Sequence, residues 1–319
     1  MNLARLPADI ALAANRIKKH IRETPLEHSP WLSEATGANV WLKLENLQIT
    51  GSFKLRGAFN KLLTLTDDER ARGGVAASSG NHGAAIAFAM HKLGVRGTIF
   101  VPEKTSSAKV DAIRRSGGDV QFFGSDGLDT EIHARRYAEE NGMCYLSPYN
   151  DAAVIAGQGT CGFEIARQLP EVDAVFIAVG GGGLISGVGA FLRTIRRDMD
   201  IVSVQPAASA VMTESIRAGH IVELPGEPTL SDGTAGGIEP DAITFGICRE
   251  VVTEFITVSE AQIADAMRGF IDAHHQLVEG AAGVALAGLL AGNGKWAGKN
   301  VVVLVCGGNI SRETLRMVI

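Results

Sequence analysis

One lysine stands out by its company. In residues 50–59, TGSFKLRGAF, Lys54 follows Phe53 directly, comes just after Gly51 and Ser52, and precedes Arg56 by two positions. A lysine amine held away from water can attack a carbonyl carbon and form a Schiff base, whereas an ordinary surface lysine does nothing of the kind. Two glycine-rich stretches sharpen the choice. VFIAVGGGGLISG places Gly180, Gly181, Gly182 and Gly183 between an apolar run and a helical pattern that begins with Leu184. Glycines there let backbone amides face outward, and the helix dipole adds positive potential, an arrangement that favours a phosphate. The dinucleotide pattern G-x-G-x-x-G fails in every register, and Val188 follows Gly187 where a nucleoside triphosphate loop needs lysine. A tight strand-to-helix turn would explain two or three glycines; four in a row point to phosphate.

The second stretch, AASSGNHGAA, clusters Ser78, Ser79, Gly80, Asn81 and His82. It offers amides, hydroxyls and a side-chain amide to a carboxylate, and it serves equally well as a helix N-cap. A third loop, CGGN from Cys306, follows the last apolar run, at the strand end where open α/β sheets bind ligands. A phosphate cradle, a carboxylate-sized loop and a lysine beside an aromatic ring together suit pyridoxal phosphate.

The elements that must position these residues alternate. NVWLKLE, GVAAS, GTIFVP, DVQFFG, AVFIAVG, DIVSVQP and NVVVLV read as strands separated by helical segments, the signature of parallel β-α-β units and an α/β fold. The first segment predicts an amphipathic helix with Ile10, Ala14, Ile17 and Ile21 on one face. Residues 219–241, rich in Gly, Pro and Thr, form a connection long enough to line a site. Nothing repeats internally.

Composition narrows the class. The chain has 319 residues, 46% hydrophobic and 20% charged, with a net charge of -5, and it has no basic run, so nucleic acid is excluded as a partner. The longest apolar stretch, from Ala281, falls short of a membrane span, and charges interrupt the first helix as no signal peptide would allow. Cys144, Cys161, Cys248 and Cys306 lie far apart without a C-x-x-C pair, which predicts a reduced, cytoplasmic protein.

In order, KLENLQITGSFKLRGA, SSGNHG, GGGGLISG and CGGN closely resemble the threonine dehydratase and serine racemase family of fold type II pyridoxal phosphate enzymes, and TPLEHSPWLS and TLSDGTAGG add to the resemblance, which covers nearly the whole chain. The resemblance implies a tryptophan synthase β-like fold of two open α/β domains with the cofactor in the cleft. Residues 1–50 and 148–319 would form a large domain and 51–147 a small one. It further implies that Lys54 binds the cofactor covalently, Phe53 flanks its ring, Asn81 bonds its 3-hydroxyl, and residues 180–183 with Leu184 hold its phosphate. Cys306 falls where many relatives place a serine against the pyridine nitrogen. Residues 78–82 would grip the substrate carboxylate.

The implied reaction is loss of water from L-threonine, L-serine or a related β-hydroxy amino acid, giving a 2-oxo acid and ammonia. Ser79 occupies the place where family racemases carry a second base, so serine or threonine racemisation by Lys54 and Ser79 stands beside elimination. A β-replacement synthase fits the lysine motif less well, and a non-catalytic cofactor or metabolite binder is the alternative of another class. Some relatives bind a divalent cation, but Gln205 and Val211 stand where its acidic ligands are expected, so no metal is predicted. Glu279 matches an acidic residue near the active site of relatives, and equally suits a helix start. The resemblance also implies a homodimer or higher oligomer, and the chain shows no regulatory domain of the biosynthetic enzymes, which suggests catabolism. The wording of the motifs resembles a hydroxyectoine-utilisation branch.

Overall fold

The computed structural model describes residues 3–319. Among them ten strands form two sheets: β1 (Leu26–His28), β2 (Asn39–Leu44), β3 (Gly74–Ala77), β4 (Gly97–Val101), β5 (Asp119–Phe122), β6 (Cys144–Tyr145), β7 (Ala174–Ala178), β8 (Asp200–Pro206), β9 (Glu254–Val258) and β10 (Asn300–Val305). The larger sheet runs β1-β2-β10-β7-β8-β9 and the smaller β5-β4-β3-β6. Every pairing is parallel except β1 with β2, where Leu26 faces Lys43 and His28 faces Trp41. Parallel strands covered by helices on both faces read as unbroken apolar runs, and β7 and the last five residues of β10 are buried throughout.

The seven strands expected from sequence all form. Strands β1, β6 and β9 are additional: the first two are only three and two residues long, and β9, EFITV, is a half-buried sheet edge whose short apolar stretch is broken by Thr257. The first helix, Leu6–Ile17, ends one turn earlier than expected, and its buried face is Leu6, Ile10, Ala13 and Ile17, so Ala14 and Ile21 lie off the stripe. Residues 220–229 carry no regular structure, as their Gly and Pro content led us to expect.

Three helices bring the chemistry together through backbone contact. A Cβ on Gly157 would lie 2.5 Å from the Arg56 carbonyl oxygen, and one on Gly187 would lie 2.6 Å from the Gly159 nitrogen. The helix Ala152–Gln168 is therefore pressed on one side against Lys54–Thr64 and on the other against Gly183–Ile195. Only glycine permits both approaches. The consequence is that Lys54 and the tetraglycine loop, far apart in sequence, begin their helices beside one another.

Candidate active site

Lys54 is the first residue of its helix, half-buried, and donates from Nζ to the Pro148 carbonyl at 2.9 Å. Burial lowers its pKa to about 8, partly opposed by Cys306 and Glu279. A substantial fraction of the amine is thus neutral, and nucleophilic, near physiological pH. Phe53 lies alongside, with Nζ 5.3 Å from its ring centroid. The segment is tied to the large sheet: the Phe53 amide donates to the Cys306 carbonyl, and Ser52 bridges Gly307.

Below Lys54 lies a buried ionic cluster that the sequence reading did not single out. Arg56 is fully buried and donates twice to Glu45 (2.9 and 2.7 Å) and twice to Glu164 (2.7 and 2.8 Å). Lys43 Nζ joins Glu164 at 2.6 Å. The two cations balance the two carboxylates, which fastens the start of the Lys54 helix to the end of β2 and to the helix Ala152–Gln168. The only sequence signal was Arg56 itself, in the lysine motif.

The tetraglycine loop follows β7 and opens the helix Gly183–Ile195. Gly182 is left-handed (φ 83°), and a Cβ on Gly181 would fall 2.4 Å from a Tyr149 ring carbon. A Cβ on Gly180 would meet the Thr234 backbone at 3.0 Å, so the long connection covers this loop as expected. Thr244 Oγ1 donates to the Gly181 carbonyl at 2.6 Å. That bond occupies one loop carbonyl, and the first-turn amides of the 13-residue helix that follows suit an anion.

The second loop follows β3 and the third follows β10, and their tips touch: Asn309 Nδ2 donates to Asn81 Oδ1 at 2.7 Å. All three loops therefore leave the carboxyl ends of their strands toward Lys54. Asn81 Nδ2 also donates to both oxygens of Glu279, at 2.8 and 2.9 Å, and the Asn309 amide donates to Oε2 at 3.2 Å. Burial pushes the Glu279 carboxyl up, Asp232 adds to this, and the Asn81 and Asn309 bonds and the Lys54 charge oppose it, leaving its pKa at about 7. Gly307 makes room for that carboxyl, since a Cβ there would lie 2.4 Å from Oε1.

Of the expected carboxylate-binding residues, Ser78 Oγ accepts from the Gly80 amide at 3.2 Å, whereas the Ser79 hydroxyl makes no hydrogen bond among the described residues. His82 is different. It is buried, with Nε2 2.7 Å from the Leu146 carbonyl, and burial together with the Lys54 charge lowers its pKa to about 3. It is a neutral ring bonded to the chain rather than a cationic grip. Cys306 is buried, and burial raises its thiol well above the usual value, so it stays protonated.

Gln205 and Val211 lie outside this cluster: Gln205 Oε1 accepts from Thr213 N and Oγ1 at 2.8 and 2.7 Å, and Val211 packs in the core. No group of three or more His, Cys, Asp or Glu placed to hold a metal occurs among the described residues. No helix among them is long and apolar enough to cross a membrane.

The donor set fits pyridoxal phosphate: a cradle that Cβ atoms would fill, free amides at a helix start, and a lysine with a lowered pKa beside an aromatic ring. The comparisons agree. The chain is 40% identical over 306 residues to "L-threonine dehydratase catabolic TdcB" of Staphylococcus aureus, covering 95% of this chain and 88% of that protein. The solved structure of processed threonine deaminase isoform 2 from Solanum lycopersicum superposes with a TM-score of 0.94 at 36% identity, over 99% of this chain and 92% of that one. Maize serine racemase superposes with a TM-score of 0.91 at 30% identity, over 97% and 95%. The profile of the family described as "pyridoxal-phosphate dependent enzyme" matches residues 17–307, and the chain belongs to that family, with the fold type II architecture and the cofactor it implies.

Proposed function

We propose that the protein removes water from a β-hydroxy amino acid of the L-threonine or L-serine class and releases a 2-oxo acid and ammonia. The observation that carries this reading is Lys54: an amine with a pKa near 8, held in the cleft where three glycine-bearing loops meet. Threonine dehydratase and threonine deaminase relatives at 36–40% identity support it.

When bound, pyridoxal phosphate supplies an electron sink that acidifies the substrate Cα–H and loosens the Cβ–O bond. Lys54 would hold it, residues 180–183 with Leu184 would cradle its phosphate, and Phe53 and Asn81 would contact its ring. Lys54 Nζ has the affinity to take the Cα proton and to return one to the departing β-oxygen near neutral pH. Glu279, with its proton affinity near pH 7, senses the Lys54 charge and holds Asn81 at the edge of the site. The amides of residues 78–81 orient the substrate carboxylate, and His82 supports that loop through Leu146. Cys306 remains a neutral thiol and withholds the full ionic support that a carboxylate would give the ring nitrogen. That favours prompt departure of the β-hydroxyl over reactions that need a long-lived carbanion.

A second reading has its own observation. The uncommitted Ser79 hydroxyl, and the likeness to maize serine racemase, support racemisation by Lys54 and Ser79 from opposite faces. The two sheets support a large domain of residues 1–50 and 148–319 and a small one of 51–147, the cofactor lying between. We also infer a homodimer in the cytoplasm with a catabolic role; the narrower role in hydroxyectoine utilisation rests on the wording of the motifs alone.

The test is the visible spectrum of the purified protein before and after borohydride, with Lys54→Ala alongside, followed by assays of 2-oxo acid and D-amino acid from L-threonine and L-serine. A yellow band that borohydride abolishes and the variant lacks, with 2-oxo acid release, is expected. Accumulation of D-amino acid that Ser79→Ala removes would establish the second reading. A colourless protein that pyridoxal phosphate cannot reconstitute would overturn both.

A further inference from the structure

Gln158 lies between the two glycines that press its helix against its neighbours: Gly157 meets the Lys54 helix and Gly159 meets the helix after the tetraglycine loop. Its side chain is 1% exposed, and its two ends face two parts of the site. Nε2 is 3.3 Å from the Pro148 carbonyl, the same oxygen that accepts Lys54 Nζ at 2.9 Å. Oε1 lies 2.7 Å from where a Gly183 Cβ would stand, beside the first turn of the cradle, and it is buried without any hydrogen-bond partner. An orphaned buried acceptor is destabilising and uncommon in native proteins, so its retention here needs a reason.

We propose that Gln158 is a positioning residue that couples the two halves of the cofactor site, holding the Pro148 carbonyl that orients Lys54 while its other end aligns the tetraglycine loop for the phosphate. This rests on the reading of Lys54 as the cofactor-binding lysine. Two donors on one carbonyl compete, because each weakens the acceptor for the other. Gln158 thereby limits how strongly Pro148 can stabilise the Lys54 ammonium, and helps keep the amine available in its neutral form. The other end acts differently. Next to Gly183 the bare Oε1 can accept from an amide of the first turn as the loop tightens round a bound phosphate, which pairs the end left unpaired here while Nε2 stays on Pro148.

Lys54 is also faced by Cys306, Glu279 and His82, so the comparison is made between variants that keep all three. The full chain is stripped of cofactor with hydroxylamine and reloaded, with pyridoxal phosphate and, separately, with phosphate-free pyridoxal, over a range of pH. Gln158→Leu keeps the bulk and removes both polar ends; Gln158→Glu keeps the acceptor, replaces the donor on Pro148 with a second acceptor and adds charge. For Gln158→Leu we expect the pH midpoint of cofactor capture to rise by about half a unit, and the preference for pyridoxal phosphate over pyridoxal to fall about tenfold. Gln158→Glu should raise the midpoint further and discriminate against the phosphate more strongly. A midpoint and preference both unchanged in Gln158→Leu, with only the melting temperature lowered, would reduce Gln158 to packing and overturn the proposal. Lys54→Ala separates the two readings: capture that survives in it refutes the assignment of Lys54, whereas capture lost in it and unaltered in Gln158→Leu refutes only the coupling.

Discussion

Replacing Arg56 by methionine tests whether the buried ionic cluster anchors the Lys54 helix. Arg56 carries four of the hydrogen bonds that the Glu45 and Glu164 carboxylates receive. After the substitution Glu164 keeps Lys43, but Glu45, fully buried, keeps only the Thr24 hydroxyl as a side-chain hydrogen-bond partner. Stranding one buried carboxylate costs about 3–5 kcal/mol, and at roughly 2 °C per kcal/mol for a chain of this size the melting temperature should fall by about 6–10 °C. The pH dependence identifies the cause. Burial alone would raise the Glu45 carboxyl, but Arg56 and Lys43 hold it below its ordinary 4.5. In the parent its contribution is therefore present above pH 4.5 and is lost as the pH falls through the lower folded value. In Arg56→Met burial acts unopposed by Arg56, the folded carboxyl takes up a proton above 4.5, and the gap to the parent should narrow as the pH is lowered from 8 towards 5. Thermal unfolding followed by circular dichroism reads both effects. The double variant Glu45→Met/Arg56→Met leaves no stranded charge and should recover at least about 2 kcal/mol of the loss. A drop below about 2 °C, a gap indifferent to pH, or a double variant no better than the single would each refute the argument.

Gly181→Ala puts a methyl 2.4 Å from the Tyr149 ring, which is held by the Glu239 amide at its hydroxyl; stability should fall by about 1–3 kcal/mol and cofactor affinity with it, as measured by thermal unfolding and equilibrium titration. Gly80→Ala is the contrasting case, because a Cβ there meets nothing within 4 Å and the fold should be unaffected in the same unfolding assay. Glu279, raised from 4.5 to about 7, keeps its proton in the folded chain while the unfolded chain has lost it, so between those values its contribution declines as pH rises. Glu279→Gln removes that decline, and the cofactor-free variant should gain on the parent by up to roughly 3 kcal/mol from pH 4.5 to 7, read by denaturant unfolding at each pH. A constant difference across that range would count against a buried, protonated Glu279.

The sequence by itself determined what is local. Continuous apolar runs such as VVVLV bury on both faces and must be central parallel strands; four consecutive glycines before a helical pattern make a close-packed strand-to-helix turn whose amides suit an anion; and the lysine motif marks one amine. Short or half-exposed pieces carried no such signal, which is why β1, β6 and β9 emerged only in the sheets, where their neighbours' hydrogen bonds complete them. Tertiary structure decided everything that depends on two distant residues meeting. Arg56 meets Glu164, 108 residues away, Glu279 meets Asn81, 198 away, and Lys54 shares a carbonyl with Gln158. The state of His82 belongs to the same class: a histidine in SSGNHG reads as a ligand for an anion, and only its burial against the Leu146 carbonyl makes it a neutral support. Proton affinity depends on desolvation and on charges brought together by folding. The sequence names the titrating groups, but the pH at which each one acts is set by the packed cleft.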